Sequence, residues 1–212
     1  MSDITTIQGK KVLIRFEGKR CIHARECVTN RPDVFVPNGG EDWIHPDAAG
    51  PDEIAALAYG CPSGAIQFER TDGGPNERLP GVNTAKVREN GPLALHGDLR
   101  IAGQSIGYRA TLCRCGASAN KPYCDGSHAT AGFSATGEPP TEACPELAQR
   151  DGVLEITPTK NGPLKVEGNL EVLSGTGRMT KRATQTWLCR CGASSKKPYC
   201  DGTHNKIGFQ AE

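Results

Sequence analysis

Cys113 to Phe133 reads CRCGASANKPYCDGSHATAGF and Cys189 to Phe209 reads CRCGASSKKPYCDGTHNKIGF, with 15 of 21 positions identical. The likeness runs upstream, where Asn90-Gly91-Pro92-Leu93 followed by Gly97-Asp98-Leu99 recurs as Asn161-Gly162-Pro163-Leu164 followed by Gly168-Asn169-Leu170. A whole module is therefore duplicated. The offset is 71 residues at the Asn-Gly-Pro-Leu element and 76 at the cysteines, so the second copy carries five extra residues, expected in a loop around Ser174 to Lys181. Leu93 to Ile101 and Leu164 to Leu173 alternate as half-buried strands do, while the cysteine segments, rich in Gly, Pro and Ser, read as loops.

Each copy offers three cysteines and a histidine at one spacing, C-x-C-x8-C-x3-H: Cys113, Cys115, Cys124 and His128, then Cys189, Cys191, Cys200 and His204. A structural zinc site takes the same donors but usually chelates through C-x2-C or wider. A [2Fe–2S] cluster needs two terminal ligands on each iron, which the close Cys-x-Cys pair and the Cys/His pair one helical turn apart can supply. Asp125 and Gly126 between the latter suit a tight turn capping a short helix. A histidine ligand is neutral and titratable, so it raises the cluster potential and ties metal retention to pH. Lys121 and Lys197 lie beside the ligands, either tuning potential by charge or standing as solvated loop lysines.

The segments Lys121-Pro122-Tyr123-Cys124-Asp125-Gly126-Ser127-His128 and Lys197-Pro198-Tyr199-Cys200-Asp201-Gly202-Thr203-His204 closely resemble the CDGSH iron–sulfur domain family. The resemblance covers roughly residues 86 to 210 and implies a [2Fe–2S] cluster on the three cysteines and one histidine of each copy. Thr203 stands where the motif has Ser, a change that keeps the hydroxyl and touches no ligand. Single-motif members pair two chains through a β-rich cap. Two motifs in one chain imply an intramolecular pseudo-dimer.

The first 75 residues differ in kind. Lys11 to Glu17 reads as a strand, Asp52 to Tyr59 as a helix with Pro51 at its start, and Ala65 to Phe68 as a closing strand. Cys21, Cys27 and Cys61 form C-x5-C and then C-P. The segments Arg20 to Cys27 and Cys61-Pro62-Ser63-Gly64-Ala65-Ile66 resemble the divergent single-cluster ferredoxin domain over roughly residues 10 to 70. That implies a ferredoxin-like α+β fold around one cubane-type cluster. The ordinary spacing would put a cysteine where this chain has Ala24, so three thiolates point to [3Fe–4S]. A [4Fe–4S] cluster is the alternative if water or His23 serves the fourth iron, and buried thiols without metal are the plain one. Proline after Cys61 turns the chain away from a cluster. His45 and His96 have no cysteine neighbours and are expected at the surface.

Composition agrees with stapled, loop-rich units. Leu, Ile, Val and Phe make up 38 of 212 residues against 41 Gly and Pro, while the net charge of +1 lacks the imbalance of a disordered chain. Metal or disulfide staples hold such chains together, and ten cysteines in local clusters read as metal ligands in a reducing, cytoplasmic setting. Cys144 has no partner at ligand spacing and reads as an ordinary thiol. The start, Met1 to Lys11, shows no apolar leader region, and no apolar run reaches the roughly 20 residues that span a bilayer. No basic cluster backed by aromatics points to nucleic acid.

The expected organisation is α+β: residues 1–75 ferredoxin-like, 76–136 the first CDGSH module, 137–150 a linker, and 151–212 the second module. Thr71 to Asn76 marks the first boundary, and Glu142 to Arg150 is expected to add a helical turn or two. The chain is read as a three-cluster protein for electron transfer or redox sensing, not an enzyme. Its partner is an unidentified redox or cluster-acceptor protein. The rivals are a cluster donor, an electron-supplying component of a separate enzyme, and a zinc-stapled binding module. A monomer is expected, with the three clusters near one another.

Overall fold

Val12, Ile14 and Phe16 alternate with Leu13, Arg15 and Glu17, and the period of two makes this segment a strand with one face inward. In the computed structural model, which describes residues 4–211, it is β2 (Val12–Glu17), with Val12 and Ile14 buried. Met1–Asp3, part of the start read as lacking a leader, lie outside the described residues, as does Glu212. The chain divides into two units, Met1–Arg78 and Leu79–Glu212.

In the first unit β2 is the middle of a three-stranded antiparallel sheet between β1 (Ile4–Gln8) and β3 (Ile66–Arg70). Helix α1 (Glu26–Asn30) follows Cys21 and contains Cys27, and α2 (Pro51–Gly60) precedes Cys61. Pro51 occupies the first turn of α2, where its missing N–H costs nothing, and the Gly50 N–H donates to the Glu53 carboxylate at 2.8 Å. Ile54 and Ala58, one turn apart, face a core with Ile14, Val34, Phe35 and Ile66. The three expected elements are present within a residue or two. β1 and α1 escape a sequence reading because β1 is a mostly exposed edge strand without alternation and α1 is too short to show a period.

The second unit is one six-stranded sheet built from both copies: β4 (Thr84–Val87), β5 (Leu93–Ile101), β6 (Gln104–Leu112), β7 (Val153–Pro158), β8 (Leu164–Leu173) and β9 (Met179–Leu188). β5–β6 and β8–β9 are antiparallel hairpins. The short strands β4 and β7 each bridge the two copies. β4 pairs antiparallel with β5 of its own copy and parallel with β8 of the other, and β7 pairs antiparallel with β8 and parallel with β5. The register is reciprocal: Thr84↔Glu171 and Ala85↔Val172 correspond, after the 71-residue offset, to Glu155↔Arg100 and Ile156↔Ile101. Each long hairpin thus has its free edge covered half by its own copy and half by the other.

The core is likewise shared. Leu93, Leu95, Leu99 and Leu112 pack in one cluster with Leu164, Val166, Leu170 and Leu188, all essentially inaccessible. Burial of each such side chain contributes about 1.5–3 kcal/mol. The five extra residues lie in the hairpin turn, as expected: Ala102-Gly103 joins β5 to β6, both with positive φ, whereas Ser174 to Arg178 joins β8 to β9. The expected helical turn in Glu142 to Arg150 is absent. Pro139, Pro140 and Pro145 remove amide donors and hold their predecessors extended, leaving too few residues to nucleate a helix. Instead this stretch runs along β9, with the Glu142 N–H bonded to Thr180 O at 2.8 Å and the Cys144 sulfur accepting from the Arg182 N–H at 3.2 Å. Among the described residues no helix is long and apolar enough to cross a membrane.

Candidate metal centres

Leu112 and Leu188, the last residues of their hairpins, bridge to Tyr123 and Tyr199. The Cys113 N–H bonds to Pro122 O at 2.8 Å and the Cys124 N–H to Thr111 O at 2.9 Å, with the same pair of bonds at Cys189 and Cys200. The strand end thereby brings the first and third cysteines of each motif side by side. Inside the intervening loop the Ser118 hydroxyl donates to Tyr123 O at 2.7 Å. The Asp125 carboxylate accepts from the N–H groups of Ala119 at 2.8 Å and Ser127 at 3.0 Å. Ser194 and Asp201 repeat both arrangements. Gly126 and Gly202 supply the left-handed conformation (φ +89° and +84°) that turns the chain from the third cysteine toward the histidine.

The donors come together as pairs. Cys113 Sγ and Cys115 Sγ are 3.8 Å apart, Cys189 Sγ and Cys191 Sγ 3.7 Å. Cys124 Sγ lies 3.3 Å from His128 Nδ1 and Cys200 Sγ 3.4 Å from His204 Nδ1. A tetrahedral metal with thiolates at about 2.3 Å sets two sulfurs about 3.8 Å apart, so each pair fits one metal. Among the described residues no three His, Cys, Asp or Glu side chains gather closely enough to hold a single ion. Backbone N–H groups of Ala117, Gly126 and Gly202 point at Cys115, Cys124 and Cys200 sulfur, each at 3.4 Å, and favour the thiolate.

Electrostatics follow from this packing. Burial pushes the Cys124 thiol up to about 11 and raises Cys191. Hydrogen bonding between the paired thiols raises Cys113 and lowers Cys115 to about 6. A cation is what such buried sulfurs need to stay charged. Partial burial works against ionisation of Asp125, but its hydrogen bonds from Ser127 and Ala119 hold it at about 2.

Four residues to which the sequence reading gave no site role, two in each copy, complete the two sites. Arg114 and Arg190, between the paired cysteines, are fully buried, and burial lowers their pKa. Arg114 donates to the carbonyls of Gly91 at 2.8 Å, Thr136 at 2.9 Å and Ala135 at 3.1 Å and lies over Phe133. Arg190 donates to Gly162 O at 3.0 Å and Thr159 O at 2.6 Å and lies over Phe209. Asn90 Oδ1 and Asn161 Oδ1 accept from the Ala135 and Ala211 N–H groups, each at 2.9 Å, tying the chain beyond each histidine to the Asn-Gly-Pro-Leu turn. Their recurrence in both copies was the available signal. Lys121 and Lys197 are not loose loop lysines: each ammonium donates to a serine carbonyl of its own loop and sits about 6 Å from a phenylalanine ring of the other copy.

In the first unit the three cysteines come from separate elements. Cys21 closes a 3-10 turn (Gly18–Arg20), Cys27 lies in α1, and Cys61 ends α2. All three line one cavity with Phe16, Trp43 and Ala24. Burial raises Cys21 and Cys27. His23 lines the adjacent cavity, which Cys21 and Cys27 also border, and its N–H bonds to Cys21 Sγ at 3.4 Å. His23 and Arg25 take left-handed φ of +54° and +65°, a conformation costly for such residues and frequent at functional loops. His45 and His96 are partly exposed, the His45 side chain by 40%, and neither borders these cavities.

Thiolate and imidazole donors in such arrangements, in a chain otherwise short of core, mark an iron–sulfur protein. Residues 90–129 and 161–205 match the family model described as iron-binding zinc finger CDGSH type, and residues 7–71 match that described as divergent 4Fe-4S mono-cluster. The chain thus carries one divergent mono-cluster region followed by two tandem CDGSH regions. A comparison with curated proteins finds no match.

Proposed function

We propose that this chain is a three-cluster carrier for electron transfer or redox sensing, without a catalytic site of its own. The carrying observation is the pairing of donors: two thiolates on one metal and a thiolate with His Nδ1 on another suit [2Fe–2S], whereas zinc would gather all four. Bound there, the cluster supplies one-electron chemistry. Cys113, Cys115, Cys124 and His128, and their counterparts Cys189, Cys191, Cys200 and His204, are the ligands, and the aspartate clamps hold each loop in shape.

The reciprocal register of β4 and β7 supports an intramolecular pseudo-dimer, and hence a monomer in solution. In the ferredoxin-like N-terminal unit, Cys21, Cys27 and Cys61 hold a cubane-type cluster. Ala24 on the cavity wall, where a fourth thiol would stand, favours [3Fe–4S], while the 4Fe-4S description of the matching family favours [4Fe–4S]. Among the described residues no cysteine is paired in a disulfide, which suits a cytoplasmic setting. A redox or cluster-acceptor protein is the partner. A cluster-donor role is the second reading, favoured by the half-buried state of His128, His204, Cys115 and Cys191, which leaves ligands within reach of solvent.

Iron and acid-labile sulfide in anaerobically prepared protein test this. We expect about seven irons and about eight sulfides per chain. About eight irons would establish [4Fe–4S], about four would remove the N-terminal cluster, and zinc in place of iron would overturn the reading.

A further inference from the structure

Gly116 and Gly192 each follow the second ligand of their copy, and each takes a left-handed φ, +83° and +81°. A Cβ on Gly116 would stand 2.8 Å from the carbonyl carbon of Cys191, and one on Gly192 2.7 Å from that of Cys115. Both would be 3.3 Å from the facing cysteine Cα. The two ligand loops therefore touch backbone to backbone, each glycine against the other copy's ligand. With consecutive Cα atoms about 3.8 Å apart, the Cα atoms of Cys115 and Cys191 lie within about 9 Å. Other groups cross the same boundary: Lys121 sits 6.0 Å from the Phe209 ring and Lys197 5.9 Å from Phe133. The buried Arg114 is near enough to Cys189, and Arg190 to Cys113, for direct attraction.

We propose that this reciprocal glycine contact makes the two CDGSH centres one interacting redox pair rather than two independent acceptors. With a [2Fe–2S] centre held by each ligand set, an external one-electron reductant would reduce one ferric iron of the first centre to ferrous, and a second equivalent would do the same at the other. The negative charge added first, held close beside the second centre, lowers the second potential. Gly116 and Gly192 are positioning residues: they set the separation and carry no electron themselves. The proposal rests on both copies holding a [2Fe–2S] centre.

The test is a dithionite titration of the full chain under anaerobic conditions, followed by visible absorption and electron paramagnetic resonance. Reduction of the Cys3His centres should spread over a wider potential range than one independent one-electron couple. Their signal at full reduction should be broader than at half reduction, because each spin then has a neighbour. In Gly116→Ala, where the methyl meets Cys191, the broadening should weaken. If that variant does not fold, the half-reduced and fully reduced wild-type spectra still decide. A single narrow wave with identical line shapes, in samples with the full iron and sulfide content, overturns the coupling. Less than two [2Fe–2S] equivalents of iron in the second unit overturns the underlying assignment instead.

Discussion

The duplicated centres and the N-terminal three-cysteine site solve the same problem with opposite chain economy. Each proposed CDGSH ligand set comes from one 16-residue stretch, Cys113 to His128 or Cys189 to His204, folded back on a single strand end. Cys21, Cys27 and Cys61 instead sit on three separate elements that meet only when Ile54 and Ala58 pack on the sheet. A local set tolerates loss of stability elsewhere, because its geometry is held by hydrogen bonds within the loop. A dispersed set is only as good as the core beneath it.

Ligand removal is the largest expected break in that contrast. Cys61→Ser should lower the iron content by about three per chain and Cys124→Ser by about two, read by metal analysis. Core truncation separates the two designs more sharply. Phe35→Ala, at a fully buried position of the first unit, should cost about 3–5 kcal/mol and take the N-terminal iron with it. Leu99→Ala, equally buried in the second unit, should cost about 2–5 kcal/mol yet leave the CDGSH iron content unchanged in the folded protein. Chemical denaturation with parallel iron analysis checks both.

Histidine ligation gives a smaller, pH-dependent difference. As the ligands proposed, His128 and His204 would bind only as neutral rings, so acidification should release iron from the duplicated centres before an all-thiolate cluster of similar exposure. His128→Cys with His204→Cys should slow that loss and lower both potentials. Unchanged decay of the visible bands would mean that the histidines are not ligands. The smallest effect is expected at the clamp, where Asp125→Ala frees the Ala119 and Ser127 amides and should speed cluster loss a few-fold at neutral pH. The folded pKa of Asp125, about 2, lies below the usual carboxylate value. Its stabilising contribution is therefore present above the unfolded value and is lost as pH falls through about 2, well below any histidine-driven release. A stopped-flow pH series separates the two phases.

Much of the candidate site was legible because its donors are local. A ligand spacing repeated 76 residues later needs no tertiary knowledge, and neither does the module boundary that the repeat implies. Arg114 and Arg190 were harder: a charged residue between two cysteines reads as exposed, and backbone carbonyls, among them Gly91, Thr136, Ala135 and Arg88 for Arg114 and Gly162 and Thr159 for Arg190, make complete burial tolerable. The linker misled for the opposite reason. Glu142 to Arg150 has helix-forming residues, but prolines and the edge of β9 offer its backbone better partners.

The amino-acid order by itself determined which side chains can bind metal, that the motif occurs twice, and where strands alternate, because each depends on neighbours a few residues apart. Tertiary structure alone decided that β4 and β7 bridge the copies, that one core serves both, and that Gly116 and Gly192 bring the two ligand loops into contact. Those outcomes depend on pairing across some 70 residues or more, where many registers satisfy the same alternation and only the joint burial of both hydrophobic faces selects one.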